Sequence, residues 1–378
     1  MTGPTPLLSI IVPVYNGAAV LPRSLAALAA SDLPREFWEL VVVDDASVDE
    51  TVSLAAAYAD TIVRLSGPAQ GPSYARNRGV EAARGEIVVF IDADVCVHPD
   101  TLRRFAWAFT DRPEISAVFG SYDDEPAAPG WVSQYRNLLH HYIHHQNRGE
   151  AETFWSGCGA IRRQVLLAVG MYNEWHFSRP QIEDIELGHR LRDHGYRILL
   201  LPEIQGKHLK QWSLRSVLAT DLKDRGVPWS RLLIQRREAT LAHTLNLRMN
   251  ERLCTALVWL ALAGLVLAAA LRDSRSLIAS GLLVAMVLAI NTPLYRFFHR
   301  RGGLAFALGV VPLHLVYYIV NGLSVLVAVG LHHAVGDPKP PASVQAFAER
   351  GVVKWPPVPK PASFSAPPEE DPQGRTRP

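Results

Sequence analysis

The 378-residue sequence predicts an α/β fold: a mostly parallel sheet with helices on both faces, followed by C-terminal transmembrane helices. Three observations lead there. Short β-branched runs alternate with helical patterns from residue 7 to residue 119, the signature of strand–helix–strand units. One of them, Ile87-Val88-Val89-Phe90-Ile91, is too short and too branched for a helix and reads as a fully buried strand. Residues 253–333 are overwhelmingly apolar, in stretches long enough to cross about 30 Å of hydrocarbon.

Each element has its own signal. Residues 7–14 form a buried strand, and 18–30 carry helical spacing with Leu21, Leu25 and Leu28 on one face. Residues 40–43 are a second strand, ending in Asp44-Asp45. Asp49 stands where it caps a helix over 50–58. A third strand over 61–65 precedes a helix over 72–84, which Gly85 stops. Residues 86–91 make the fourth strand. Pro99 marks the start of a helix over 100–109, and 115–119 is a further strand. Beyond this the pattern loosens: 161–169 and 182–194 read as helices, and 197–201 as a strand. The connections suit a Rossmann-like sheet. The first turn, Pro13-Val14-Tyr15-Asn16-Gly17, lacks the G-x-G-x-x-G of a dinucleotide site, which argues against a dinucleotide oxidoreductase.

Composition divides the chain into 1–206, an α/β domain; 207–252, basic and amphipathic; 253–333, the membrane block; and 334–378, a Pro-rich tail expected to be disordered. The formal net charge of +2 carries no basic excess that would point to nucleic acid. In 207–252, Lys207, Lys210, Arg215, Lys223, Arg225, Arg231, Arg236, Arg237, Arg248 and Arg252 outnumber Asp221, Asp224, Glu238 and Glu251, with Trp212 and Trp229 among them. Such a stretch suits a membrane interface. A solvated helix pair is the plainer alternative, and the apolar segment that follows favours the membrane. Candidate spans are 253–271; 277–295, interrupted by Asn291 and Pro293; and 304–331, containing Pro312, His314 and Asn321. Arg296, Arg300 and Arg301 follow the second, and Arg236, Arg237, Arg248 and Arg252 precede the first. The positive-inside rule then places the α/β domain in the cytoplasm and the protein, multi-pass, in the inner (cytoplasmic) membrane. The three cysteines lack metal or disulfide spacing, which fits a reducing compartment. The N-terminus reads as a strand, not a signal peptide.

The chemistry gathers at Asp92-Ala93-Asp94, directly after the buried strand. Ligands of open α/β sheets bind beyond the C-terminal strand edges. Two carboxylates there suit a hard divalent cation, Mg²⁺ or Mn²⁺, bridging protein to substrate phosphate. A lone D-x-D also reads as a turn with two solvated acids. Tyr15 has a ring able to stack on a nucleobase, or it is a rim residue. Glu183-Asp184 opens the helix over 182–194, where negative charge also simply favours a helix N-terminus. His140, His141, His144 and His145 have the i,i+4 spacing used for zinc, without the acid of H-E-x-x-H.

In order, the segments SIIVPVYN (9–16), VVVDDASVDET (41–51), GPSYARNRG (71–79), FIDAD (90–94), GCGAIRR (157–163) and IEDIEL (182–187) resemble the inverting glycosyltransferase family 2, on a GT-A fold. The resemblance covers roughly residues 7–210, and extends through 333 to the membrane-anchored bacterial members. It implies a nucleotide-sugar donor, a UDP-sugar by expectation, and a lipid or lipid-linked glycan acceptor. It assigns Pro13, Tyr15, Asp44, Arg76, Asp92 and Asp94 to the nucleotide, with Asp44 accepting from uracil N3–H. Asp94 becomes the direct metal ligand, Asp92 touches ribose and metal, and His208 matches a position where some relatives supply a further ligand. Asp184 becomes the base that deprotonates the acceptor hydroxyl, and 155–159 line the acceptor side. Gly17 departs from the Glu of many relatives. Gln211-Trp212 only echoes the Q-x-x-R-W of processive synthases, which favours addition of one sugar or few. A polyprenyl-phosphate transferase and a short-polymer synthase remain alternatives within the family. A nucleotidyltransferase would want a Gly-rich phosphate loop that 13–17 does not supply, and a scaffold with an inactive domain would not need the intact acids.

Overall fold

A computed structural model of the protein describes residues 5–236 and 248–336. Residues 237–247 of the basic stretch, Arg237 and Glu238 among them, and the tail from 337 lie outside the described residues. The strands are β1 (Leu8–Val14), β2 (Trp38–Asp44), β3 (Thr61–Arg64), β4 (Ile87–Ile91), β5 (Val95–Val97), β6 (Ala117–Tyr122), β7 (Gly149–Ala151), β8 (Cys158–Arg162) and β9 (Ile198–His208). The helices of the same domain are α1 (Leu21–Ala29), α2 (Thr51–Ala55), α3 (Pro72–Ala82), α4 (Thr101–Asp111), α5 (Trp131–Gln146), α6 (Arg163–Ala168) and α7 (Glu183–Asp193).

All nine strands form one sheet in the order β3-β2-β1-β4-β8-β6-β9-β5, with β7 also on β9. β3, β2, β1 and β4 are parallel, as the strand–helix alternation requires. Beyond β4 the sheet is mixed, so the parallel expectation holds for the first half only. β8 is antiparallel to both β4 and β6, while β6 and β9 are parallel. β8 arrives from the excursion through α5 and β7, not from a helical crossover, so nothing imposes a parallel direction on it.

The central strands are apolar on both faces. Ile10, Val12, Leu40, Val42, Val89 and Ile91 pack under Leu21 and Leu25 of α1 and Phe105 and Phe109 of α4. Ile11, Val41, Val43, Val88 and Phe90 pack under Val80 of α3, Leu166 of α6, and Leu187 and Leu191 of α7. Burial on both faces explains the unbroken apolar runs in the sequence. At Gly79 a Cβ would collide with Ile11, so α3 sits flush on β1.

Some boundaries move. Ile161 and Arg162 end β8, and α6 starts only at Arg163, so 161–169 is not one helix. β9 continues past residue 201 to His208 although Pro202, Glu203 and Gln205 interrupt its apolar pattern. α2 is a short helix with Glu50 at its N-cap. Asp49 sits one residue earlier and ties two loops together, accepting from Ala18 N and Thr51 N, both at 3.1 Å.

The C-terminal block holds α8 (Leu214–Ala219), a π-helical turn (Thr220–Gly226), α9 (Val227–Arg236), α10 (Met249–Leu271), α11 (Ser274–Ile290), α12 (Thr292–Gly309) and α13 (Val311–Val335). α10 and α13 are each long and apolar enough to cross a membrane. The stretch 277–295 is not a straight span: α11 and α12 meet at 65°, a broken span or a re-entrant loop. Pro293, in the first turn of α12, cannot donate to the helix before it. The stretch 304–331 is likewise divided, with Val310 between α12 and α13. Tyr135, Leu138 and Leu139 of α5 pack on Leu294, Phe298 and Phe306 of α12, joining this block to the α/β domain.

Candidate active site

The functional candidates gather beyond the C-terminal ends of β1, β2 and β4. Pro13 lies opposite Val43 in the β1–β2 ladder and past Ile11, the last β1 residue paired with β4, so its missing N–H leaves no bond unmade on that side. Tyr15 follows and is 55% exposed. Asn16 takes a left-handed conformation (φ 49°) and its side chain accepts from Val48 N at 2.9 Å. Gly17 has a local reason to lack a side chain, because a Cβ would collide with Val14. Asp44 closes β2 with only 1% of its surface exposed. One of its oxygens accepts from Ser47 N at 3.2 Å; the other is buried with no hydrogen bond. An unmet buried acceptor costs roughly 1–3 kcal/mol, and this oxygen is free to accept from an N–H donor. Asp45 faces away, accepting from Gln70 N at 3.0 Å and Gly71 N at 2.7 Å, and so fixes the loop that enters α3.

Arg76 of α3 joins the two sides of the cleft. It donates to Asp92 at 2.9 Å and to Glu183 at 2.9 Å, and only 4% of it is exposed. Burial alone would lower its pKa, but Asp92, Glu183 and Asp184 more than offset this and keep the guanidinium charged. Burial pushes the Asp92 carboxyl up, with Arg76 opposing. Asp92 N also donates to Gly157 O at 3.2 Å, so the 155–159 loop lies against the end of β4, where Ile91 pairs with Cys158.

The two acids that open α7 have different surroundings. Glu183 is buried and held by Arg76 and by Gln181 N at 2.8 Å. Asp184 is half-buried and accepts from Ser156 N at 3.2 Å. Burial, and then the charge of Glu183, push its carboxyl up to about 7. A carboxylate near this range is well matched to taking a proton at neutral pH.

Asp94 meets a residue far along the chain. β5 follows it immediately and pairs antiparallel with the end of β9, Val95 opposite His208. His208 Nε2 thereby comes to 3.4 Å from Asp94 Oδ2. Its Nδ1 shares a 2.9 Å hydrogen bond with Asn137, and Tyr122 stacks on its ring at 4.2 Å. Burial would raise Asp94, but the His208 hydrogen bond and the charges of His208 and Lys210 outweigh it and hold the carboxyl below its ordinary range. The donor set suits a divalent ion that keeps water and substrate phosphate in its shell. Asp94 and His208 would hold it, with Asp92 turned to Arg76. Among the described residues no group of three or more His, Cys, Asp or Glu is arranged to hold a metal alone.

Glu183 lies in the 182–187 motif, but its pairing with Arg76 had no sequence signal; Tyr122 and Asn137, the supports of His208, are single residues outside any pattern. The four histidines of α5 serve packing. His141 and His144 each share an Nδ1 hydrogen bond with a backbone carbonyl, Tyr122 O and Gly120 O, at 2.9 Å. The His140 and His144 rings lie 3.9 Å apart at a 38° tilt, and burial keeps both below their ordinary pKa.

The model of the family described as glycosyl transferase family 2 matches residues 9–170. A PGL/p-HBAD biosynthesis glycosyltransferase of Mycobacterium bovis (strain BCG / Pasteur 1173P2) is 36% identical over 190 residues, 47% of this chain and 72% of that protein. The poly(ribitol-phosphate) beta-N-acetylglucosaminyltransferase TarS of Staphylococcus aureus (strain Mu50 / ATCC 700699) is 36% identical over 107 residues, 27% of this chain and 18% of that protein. Of several other relatives it matches, TarS among them, the chain spans between 16% and 56% of the length. Among solved structures, the mannosyltransferase PcManGT from Pyrobaculum calidifontis, in complex with GDP-Man and Mn²⁺, aligns over 85% of this chain and 87% of that one. Its TM-score is 0.53 and its identity 20%, a likeness of fold.

Proposed function

Because the chain belongs to glycosyltransferase family 2, with a GT-A fold, we propose that it is a membrane-bound inverting transferase that moves a sugar from a UDP-sugar to a lipid or lipid-linked glycan. The observation that carries this reading is the Arg76 bridge. It draws Asp92 and Glu183 onto one guanidinium, so the D-x-D end of β4 and the start of α7 share a cleft.

The unmet oxygen of Asp44 supports a base with a ring N–H. Uracil and guanine present one, whereas adenine and cytosine present an acceptor at the corresponding edge. Tyr15 supplies a face for stacking. A divalent ion, when bound, neutralises the diphosphate as the glycosidic bond breaks. Asp184 takes the proton of the acceptor hydroxyl. The hydroxyl oxygen bonds to the anomeric carbon from the face opposite the diphosphate, and the old C–O bond's electron pair leaves with the nucleotide. One displacement inverts the configuration. Arg76 stays protonated throughout and keeps the two halves in register.

α10 and α13 support anchoring in the membrane. The Arg248, Arg296, Arg300 and Arg301 side of the block supports a cytoplasmic catalytic domain in a bacterial inner membrane.

The test is incubation of the purified protein, in detergent with Mn²⁺, with a panel of sugar nucleotides, reading free nucleotide by mass. Release from a UDP-sugar, abolished by chelation, is expected. Release from ADP- or CMP-sugars in preference would remove the role given to Asp44.

A further inference from the structure

A cavity of about 490 Å³ opens among the π-helical turn, α9, α10 and α13. Three arginines, Arg136, Arg225 and Arg252, border it together with the acids Asp221 and Glu251, and Arg136 and Arg225 differ in their pairing. Arg136, from α5, is held by Asp221 through two hydrogen bonds of 2.6 and 3.2 Å. Arg225, on the π-helical turn, has no ion-pair partner among the described residues. It is exposed and lines the cavity. Desolvation by the surrounding protein and the like charge of Arg136 push its pKa down, with Asp221, Tyr122 and Asp184 opposing. Its charge opposes the upward shift of the Asp184 carboxyl.

The remaining lining is largely apolar, with Trp229, Leu233, Ala256, Trp259, Val325 and Leu326 contributing. Much of it belongs to α10 and α13, the two helices able to cross a membrane. Glycines set the spacing of the walls. A Cβ on Gly226 would collide with Ser324, and one on Gly322 with the Trp259 indole. The cavity is therefore built into the backbone packing. π-Helical turns are rare and accompany functional sites.

We propose that this cavity receives the acceptor, a lipid whose phosphate head rests on Arg225 while its hydrocarbon chain lies between α9, α10 and α13. The proposal rests on the transferase reading above. A guanidinium fork matches phosphate geometry, and a soluble phosphate would have no use for the apolar walls. Seated there, the head brings the rest of the acceptor towards Asp184.

The test uses full-length protein in neutral detergent, with farnesyl phosphate, farnesol and inorganic phosphate as probes and native mass spectrometry as readout. Farnesyl phosphate should bind at least about tenfold more tightly than farnesol. Arg225→Gln should erase that preference and Arg225→Lys retain part of it. Ala256→Trp, which fills the cavity and leaves the charge, should weaken both lipids. Equal preference in wild type and Arg225→Gln overturns the proposal. So does inorganic phosphate displacing farnesyl phosphate at equal concentration, since it would mark a site for free phosphate. Mn²⁺-dependent UDP binding is read on the same wild-type preparation. Lipid preference without UDP binding would sink the transferase reading and keep a phospho-lipid site; UDP binding without lipid preference would sink the lipid site alone.

Discussion

At the scale of single residues, the pair Glu183-Asp184 shows how environment divides labour between adjacent acids. Glu183 is spent on Arg76, and Asp184 is left with its pKa raised. Asp184→Asn should lower transfer by roughly 10²–10⁴-fold, the range for losing a general base, with UDP-sugar affinity retained. Near-normal transfer in this variant would hand the role to another group. Wild-type transfer should rise with pH through about 7, as Asp184 loses its proton. The same shift has a stability consequence. The folded protein holds this proton more tightly than the unfolded chain, so the group's stabilisation is complete at acid pH and is lost as pH rises through about 7. Asn cannot ionise. The melting temperature of Asp184→Asn relative to wild type should therefore climb between pH 5 and pH 8, and a flat difference across that range would contradict the raised pKa. Asp94→Asn should act differently, removing metal-dependent UDP binding as read by calorimetry while leaving the melting temperature within a few degrees. Unchanged UDP affinity with Mn²⁺ would remove Asp94 from the metal site.

At the scale of elements, the cleft depends on α3 being pinned at once to the end of β4 and the start of α7. Arg76→Met leaves Glu183 as a buried, unpaired charge, and breaking such a pair costs about 3–5 kcal/mol. Replacing both partners, Arg76→Met with Glu183→Leu, should recover much of that loss, since apolar replacement of a buried pair is often neutral. Transfer should stay impaired in the double variant, because Asp92 would still lack its partner. Denaturant unfolding and nucleotide release on both proteins check this. If the single variant unfolds like wild type, the bridge does not hold the elements together. The same elements show where the sequence was legible. β1, β2 and β4 are buried on both faces and wrote themselves as apolar runs. β8, with Gly159 as its second residue, and the polar end of β9 did not, because their register is set by neighbours and not by their own composition.

At the scale of the whole molecule, the α/β domain and the C-terminal helical block share an interface, with Tyr135, Leu138 and Leu139 of α5 against α12. Full-length protein should stay with membranes through high salt and carbonate, because screening weakens charge-only attachment and leaves spanning helices in place. Release of the full-length chain would overturn the spanning reading of α10 and α13. A chain cut near residue 203 would lose the end of β9 and His208 with it. A chain ending at Arg236 keeps the sheet intact but uncovers the apolar face of α5. It should aggregate once freed from membranes, and Leu138→Gln with Leu139→Gln should make it soluble, as light scattering would report.

Legible from the chain alone were the parallel half of the sheet, the two acids at the end of β4, the family, and an apolar C-terminal helical block. Each is written locally: as a run of side chains buried on both faces, a motif at a strand end, or a stretch with no charge. Tertiary structure decided the rest. It set β8 antiparallel, brought His208 to Asp94 through the β5–β9 pair, gave Arg76 to both sides of the cleft, and bent α11 against α12. Those outcomes depend on which distant segments pack together. No single stretch of the chain carries that choice, because it belongs to the sum of the contacts.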